Sequence, residues 1–257
     1  MDDRIRDGKY RLRGLLGRGA FAEVYLVEDS AGRKYACKVS RRADLLEREA
    51  RFQRAAAHPL FPAFYDYWRE EKGYLLMEYV QGENLEEILR RRGPFSDRKA
   101  AEIGCRLAEG LKYLHEGREP LLFRDVKPAN VMMTPEGDVK LVDFGCVCPL
   151  GENADMAGSP GFGAPEQFLP EGVQTVRADV YGLGRTLQEI AGGKSGGLLK
   201  KVTDKCTVKE AEDRLPDMWE TAGLLECCAG RPGARLDRRR KAILRGDIRM
   251  LKSVHLC

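Results

Sequence analysis

The chain has no run of about 18 consecutive apolar residues, which excludes a helix long and apolar enough to cross a bilayer. No hydrophobic stretch stands behind Met1-Asp2-Asp3-Arg4, so no secretory signal is expected. The expected setting of the 257 residues is therefore the reducing cytoplasm, with the eight cysteines as thiols. Histidine is scarce, at three residues. Neither Cys146-x-Cys148 nor Cys227-Cys228 has further Cys or His at ligand spacing, which argues against zinc. These cysteines read as small buried filler, with a redox role for Cys146 and Cys148 as the alternative. Phe, Tyr and Trp are missing from residues 231–257, which hold nine Lys or Arg against two acids. That segment carries +7, so residues 1–230 sum to −3 although the whole chain is +4. Without rings to stack on bases, the tail makes a poor single-strand nucleic-acid binder. A solvated helix or loose end is expected there, with contact to an anionic surface as the alternative.

The bulk composition is ordinary, 43% apolar and 33% charged, and the length suffices for one large core or two lobes. The distinctive string is Phe123-Arg124-Asp125-Val126-Lys127-Pro128-Ala129-Asn130, followed by Asp143-Phe144-Gly145. It sets two acids, a lysine and an amide about twenty residues apart at most. Strands over Val131–Thr134 and Val139–Val142, around the turn Pro135-Glu136-Gly137-Asp138, predict a hairpin that sets the distance from Asn130 to Asp143. Near the N-terminus, Tyr10 to Leu16 reads as a strand that turns at Gly17-Arg18-Gly19-Ala20-Phe21-Ala22-Glu23-Val24 into a second. Glycines at 17 and 19 let backbone N–H groups approach phosphate oxygens with no Cβ in the way. The turn Asp29-Ser30-Ala31-Gly32 leads to a strand carrying Lys38, and a helix over Ala43–Ala56 carries Glu49. Tyr74 to Val80 reads as a buried strand, and Ser96 caps a helix to about Glu116 with Ile103, Leu107, Leu111 and Leu114 on one face. Taken singly, each piece has an ordinary alternative: Gly-x-Gly in a hairpin, Asp-Phe-Gly as a strand exit, Lys38 as a surface lysine.

Taken in order, these strings resemble the motifs of the protein kinase superfamily, over about Lys9 to Cys228, and look closest to its eukaryotic-like (Hanks-type) bacterial Ser/Thr members. The resemblance implies an α+β, two-lobed fold. A small five-stranded antiparallel sheet with one helix (1–79) would sit over a larger, mainly helical lobe (80–230), followed by the basic tail (231–257). It implies ATP and Mg²⁺ as cofactors and Ser or Thr hydroxyls of proteins as acceptors. In that scheme Asp125 receives the hydroxyl proton, Lys127 neutralises the γ-phosphate, and Asn130 and Asp143 hold the metal. Gly17 and Gly19 cover the phosphates, and Lys38, paired with Glu49, holds the α- and β-phosphates. Met77 gates the adenine pocket, the backbones of Glu78 and Val80 bond adenine, and Leu16, Val24, Ala36 and Met132 sandwich it. Ser159, in Gly158-Ser159-Pro160-Gly161-Phe162-Gly163-Ala164-Pro165-Glu166, is expected to bridge Asp125 and Lys127. Glu166 is expected to pair with Arg214, and Asp179 to anchor the catalytic-loop backbone. The Asp125-x-Lys127 spacing favours Ser/Thr protein kinases over tyrosine kinases and small-molecule phosphotransferases.

Three positions depart from the family pattern. Ala22 replaces the third glycine of the loop, and Phe123 replaces a more common histidine. Gln53 stands one helical turn after Glu49, where an apolar residue is usual, in a stack expected to include Phe64, Phe123 and Phe144. A polar group there needs a hydrogen-bond partner or disfavours the docked helix. A further helix, commonly used for docking substrates, is missing between Ala191 and Leu199. These features leave a nucleotide-binding pseudokinase scaffold as the alternative function. Finally, the only hydroxyl side chain between Asp143 and Glu166 is Ser159. No ordinary activating phosphosite is expected in that segment, and Glu152 or Asp155 is the candidate charge partner of Arg124.

Overall fold

The computed structural model describes residues 4–152, 156–170, 172–193 and 195–245. The N-terminal part is an antiparallel sheet built from β1 (Arg4–Ile5), β2 (Tyr10–Arg18), β3 (Glu23–Asp29), β4 (Lys34–Ser40), β5 (Phe64–Arg69) and β6 (Gly73–Glu78). Its spatial order is β1-β2-β3-β4-β6-β5. The five expected strands are present, with the two-residue β1 added on the edge beside Tyr10 and Arg11. Strand alternation sends successive side chains to opposite faces. On one face Tyr10, Val27, Cys37 and Leu76 form a cluster with Tyr35, Trp68 and Tyr74. On the other, Leu75 packs with Leu46 and Ala50 of α1 (Ala43–Ala55). The i, i+3, i+4 stripe Ala43, Leu46, Glu49, Ala50, Gln53 turns this helix toward the sheet. At Gly73 a Cβ would lie 3.0 Å from Ala43 Cα, so helix and strand meet backbone to backbone.

The second part begins with β7 (Glu83–Asn84) and α2 (Leu85–Arg92), capped by the Asn84 side chain. The helix α3 (Asp97–His115) starts where expected, with Ser96 Oγ accepting from Lys99 N. Its buried face includes Ile103, Leu107, Leu111 and Leu114. Short strands follow: β8 (Leu121–Leu122), β9 (Val131–Met133), β10 (Val139–Leu141) and β11 (Cys148–Pro149). β9 and β10 pair antiparallel as the predicted hairpin. The chain continues as α4 (Val176–Ile190), α5 (Gly197–Cys206) and α6 (Met218–Ala229). Among the described residues no helix lies between Ile190 and Gly197, in keeping with the expected trimming of this lobe. Arg214, 1% exposed, donates from both terminal nitrogens to Glu166 at 2.6 and 2.8 Å, closing the expected pair.

The tail differs from expectation. Residues Arg238–Leu244 form α7, whose N-cap Asp237 accepts from Arg240 N. Ala242 and Ile243 are 5% and 1% exposed, and Ile243 belongs to the core of the helical lobe. Arg239 lies 2.6 Å from the Glu220 carboxylate, which is buried on α6. Burial pushes that carboxyl up, and Arg239 pulls it back only in part. Charge dominates the segment and favours a solvated helix, so the helix agrees with the sequence and its docking does not. The structure shows an amphipathic turn whose buried Ala242 and Ile243, with half-buried Leu236 and Leu244 beside them, make the docking face. Residues 246–257 lie outside the described part. Ile243→Ala should therefore lower unfolding free energy in urea by about 2–4 kcal/mol, with Arg238→Ala close to neutral. Equal, negligible effects would mean the tail is not docked.

Candidate active site

Two carboxylates and one ammonium join the two lobes. Lys38 Nζ on β4 donates to Glu49 Oε1 and Oε2 at 2.7 and 2.8 Å, and to Asp143 Oδ1 at 2.8 Å. Strand alternation places Lys38 on the α1 side, and Glu49 is the single charge on the buried stripe of that helix. Burial opposes the Lys38 charge, but Glu49 and Asp143 outweigh it and raise its pKa. For Asp143, burial opposes ionisation, while Lys38 and the Gly145 N–H win and hold its carboxyl below the usual range. Glu49 is pushed up by burial, opposed by Lys38 and reinforced by Asp143. With oxygens of both carboxylates within 2.8 Å of one nitrogen, the ammonium form of Lys38 prevails.

The catalytic-loop residues are fixed from behind. Asp179, at the N-terminal end of α4 and 0% exposed, accepts from Phe123 N at 2.9 Å and Arg124 N at 2.6 Å. His115 Nε2 lies 2.8 Å from the same carboxylate, and Thr186 Oγ1 donates to Val126 O at 2.9 Å. Those clamps hold Arg124 at φ +68°, and Asp143 sits at φ +73°, a conformation that L residues rarely adopt. In front, Lys127 Nζ contacts Asp125 Oδ2 at 2.9 Å and Ser159 Oγ at 2.6 Å. The ammonium, rather than the expected hydroxyl, is the bridging member. Asn130 Nδ2 donates to Asp125 O and Oδ2 at 2.9 and 3.0 Å, so neither of these bonds uses its oxygen, the atom of the amide able to ligate a cation. Among the described residues Asp125 Oδ1 is buried with no partner. An unsatisfied buried acceptor beside a lysine and an amide is a polar group left without its usual partner.

The expected nucleotide-pocket residues fall on adjoining strands. Gly17 pairs with Val24, Val24 with Lys38, and Ala36 with Met77. Ala36 is buried, while Leu16 keeps 45% of its surface exposed. Val24, Met77 and, from β9, Met132 are half-buried. Glu78 N donates to Ala63 O at 2.9 Å, so of its backbone only the carbonyl can serve a purine; Val80, 9% exposed, follows it. A Cβ at Gly17 would meet nothing within 4 Å, and at Gly19 only Ala22 O at 3.6 Å. Neither glycine has a left-handed φ, so neither the backbone angle nor the protein's own packing requires glycine at these two positions. Ala22 is accommodated, its carbonyl accepting from Gly19 N at 2.8 Å. The buried Ser40 Oγ ties Phe21 O at 2.6 Å, a tether that no motif reading revealed.

Two expectations about the stack change. The ring packed on Phe123 and Phe144 is Phe61, with centroids 6.4 and 5.2 Å away, whereas Phe64 joins the Leu46, Ala50 and Leu75 cluster. Gln53, 2% exposed, donates to Pro62 O at 3.0 Å beside Met77 Sδ. Its polarity is satisfied and helix α1 is docked, so this departure costs the site nothing visible. Arg124 Nε donates to Cys146 O at 2.5 Å and Nη1 to Gln174 Oε1 at 3.3 Å. Glu152 is exposed, and Asp155 lies outside the described residues.

These arrangements coincide with a family match. The model of the protein kinase domain fits residues 10–219. A probable serine/threonine-protein kinase of Streptomyces coelicolor is 36% identical over 205 residues, covering 71% of this chain and 30% of its own. Serine/threonine-protein kinase PknB of Mycolicibacterium smegmatis is 36% identical over 208 residues, 72% of this chain and 33% of its own. A probable PknB of Bifidobacterium longum is 33% identical over 221 residues, 76% of this chain and 31% of its own. The chain belongs to the protein kinase family, among its Hanks-type bacterial Ser/Thr members. It spans about a third of the length of the curated relatives it matches.

Of the two cysteines beside the metal motif, Cys148 is the buried filler expected and Cys146 is only half-buried. Cys37, Cys105, Cys148 and Cys206 are buried, and none of the described cysteines is bonded to another. Cys146, next to the metal motif, is pushed up to about 11 by burial and by the charges of Asp125 and Asp143. At pH 8 about one thiol in a thousand would be thiolate, the reactive form. Iodoacetamide labelling of native Cys146, followed by peptide mass spectrometry, should climb about tenfold per pH unit from 8 to 10. A plateau near pH 9 would show an ordinary thiol and reopen the redox reading.

Proposed function

We propose that this chain transfers the γ-phosphoryl group of Mg-ATP to Ser or Thr hydroxyls of protein substrates. The observation that carries the reading is the unpartnered Asp125 Oδ1, whose companion Oδ2 is held by Lys127 and Asn130 while Lys127 also bonds Ser159, with Asp143 paired to Lys38 on the facing strand.

The donor set fits the cation. The Asn130 oxygen and the Asp143 carboxylate are hard oxygen donors, and Asp143 is held ionised. Among the described residues no cluster of three or more His, Cys, Asp or Glu forms a protein cage. Two protein oxygens with the rest of the shell from water and phosphates is the usual Mg²⁺ arrangement. When bound, the ion offsets charge on the phosphate oxygens in the transition state. The side chains do the positioning. Lys38 meets the α- and β-phosphates, and Gly17 and Gly19 present N–H groups over them. Asp125 Oδ1 orients the incoming hydroxyl and takes its proton late, since the transition state is loose and basicity matters less than alignment. Lys127 shares Asp125 with that hydroxyl and faces the transferred group, while Ser159 fixes the lysine's direction. The scaffold alternative loses its main ground because Gln53 is satisfied and Glu49 is engaged.

The test is transfer of radiolabelled γ-phosphate to a generic basic protein. Wild type should label it on Ser or Thr, and Lys38→Met and Asp143→Ala should each reduce the rate by at least about 100-fold, roughly 2.7 kcal/mol of barrier. ATP binding by wild type without any transfer would overturn the enzyme reading.

A further inference from the structure

Gln167 lies in the short turn Pro165–Phe168, directly after Glu166, and is 1% exposed. Its carboxamide has two N–H donors and both are spent on carbonyls from distant strings. Nε2 donates to Arg124 O at 2.9 Å and to Ala157 O at 2.8 Å. Its oxygen accepts from Ala164 N at 2.8 Å. The three clasped groups have distinct places. Arg124 precedes Asp125, Ala157 lies two residues before Ser159, and Ala164 begins the turn that carries Glu166. A second observation marks the same spot. Gly158 has φ +127°, and a Cβ built on it would lie 2.8 Å from Gln167 Nε2 and 3.3 Å from Arg124 O. Glycine is thus required both for its backbone angle and to admit the amide.

Segments of this kind are commonly ordered by a phosphate that supplies charge-assisted hydrogen bonds. Here the only hydroxyl side chain between Asp143 and Glu166 is Ser159, and its oxygen is engaged by Lys127. We propose that Gln167 is a positioning residue, a neutral clasp that holds the Ser159 segment on the catalytic loop, so that competence requires no covalent modification of that segment. The inference rests on the phosphotransfer reading above. A buried amide satisfied at all three of its clasping atoms is worth much more than a surface bond, because releasing it strands two carbonyls and an N–H together. The clasp therefore has two arrangements, engaged or opened to water, and little between them.

The experiment uses the full chain after phosphatase treatment, with hydrogen exchange over residues 156–164 and steady-state kinetics read together. Wild type should keep slow exchange and full kcat. Gln167→Glu keeps the shape and loses both donors; Gly158→Ala leaves the amide intact and crowds it. Each should speed exchange at least tenfold and lower kcat at least tenfold, with KM for ATP within twofold. Unchanged exchange in both variants, or release of the segment in wild type on phosphatase treatment, would overturn the proposal. Variants that release the segment in a wild-type background showing no transfer would uphold the clasp while refuting the kinase reading.

Discussion

The ammonium of Lys38 is the constraint on which the rest depends. It touches the sheet, helix α1 and the helical lobe at once, through Glu49 and Asp143. Glu49 is buried beside Lys38, and burial pushes its carboxyl up against the pull of the lysine, while Asp143 keeps 47% of its side chain exposed and is held ionised by the same ammonium. Removing one partner from such a buried pair typically costs about 3–5 kcal/mol, because the others are left uncompensated. The docked position of α1, the orientation of Asp143 and the packing of Phe144 on Phe61 and Phe123 are therefore parts of one arrangement. A bound nucleotide would enter the same balance by offering phosphate oxygens to Lys38.

The helical lobe solves a different problem, holding an irregular loop still. A loop has few backbone bonds of its own, and its unmade N–H and C=O groups are costly when buried. Asp179 takes two of the N–H groups, Thr186 and Gln167 take two carbonyls, and Asn130 takes a third. The supporting residues lie on α4, after Glu166 and in the loop itself, so the lobe's core acts as a frame for about eight residues. The Glu166–Arg214 pair serves the same end, closing the segment that bears Ser159 onto the body. Trimming between Ile190 and Gly197 leaves that frame intact, since none of its members comes from the shortened stretch.

Much of the fold was legible because it is local. The alternation of Lys34–Ser40, the stripe on α1, the Ser96 cap and the hairpin from Val131 to Leu141 are written in periods of two to four residues. The tail misled for a related reason. A count of charges sees seven excess cations, but a few apolar residues around one turn decide that α7 docks. Phe61 and Phe64 could not be told apart from sequence either. Both precede or enter the same strand, and a bulge between Phe64 and Asp66 shifts the register that a simple count assumes.

By itself the sequence determined the chemistry at close range. The spacing of Asp125, Lys127 and Asn130 puts an acid, an ammonium and an amide on one loop, and a hairpin of set length returns Asp143 to them. What the tertiary structure alone decided are contacts to backbone. Gln53 on Pro62 O, Gln167 on Arg124 O and Ala157 O, Ser40 on Phe21 O and Thr186 on Val126 O have no local signature. Every residue offers the same carbonyl and the same N–H. Which of them a side chain meets is settled only when the chain has folded and brought distant strings within 3 Å.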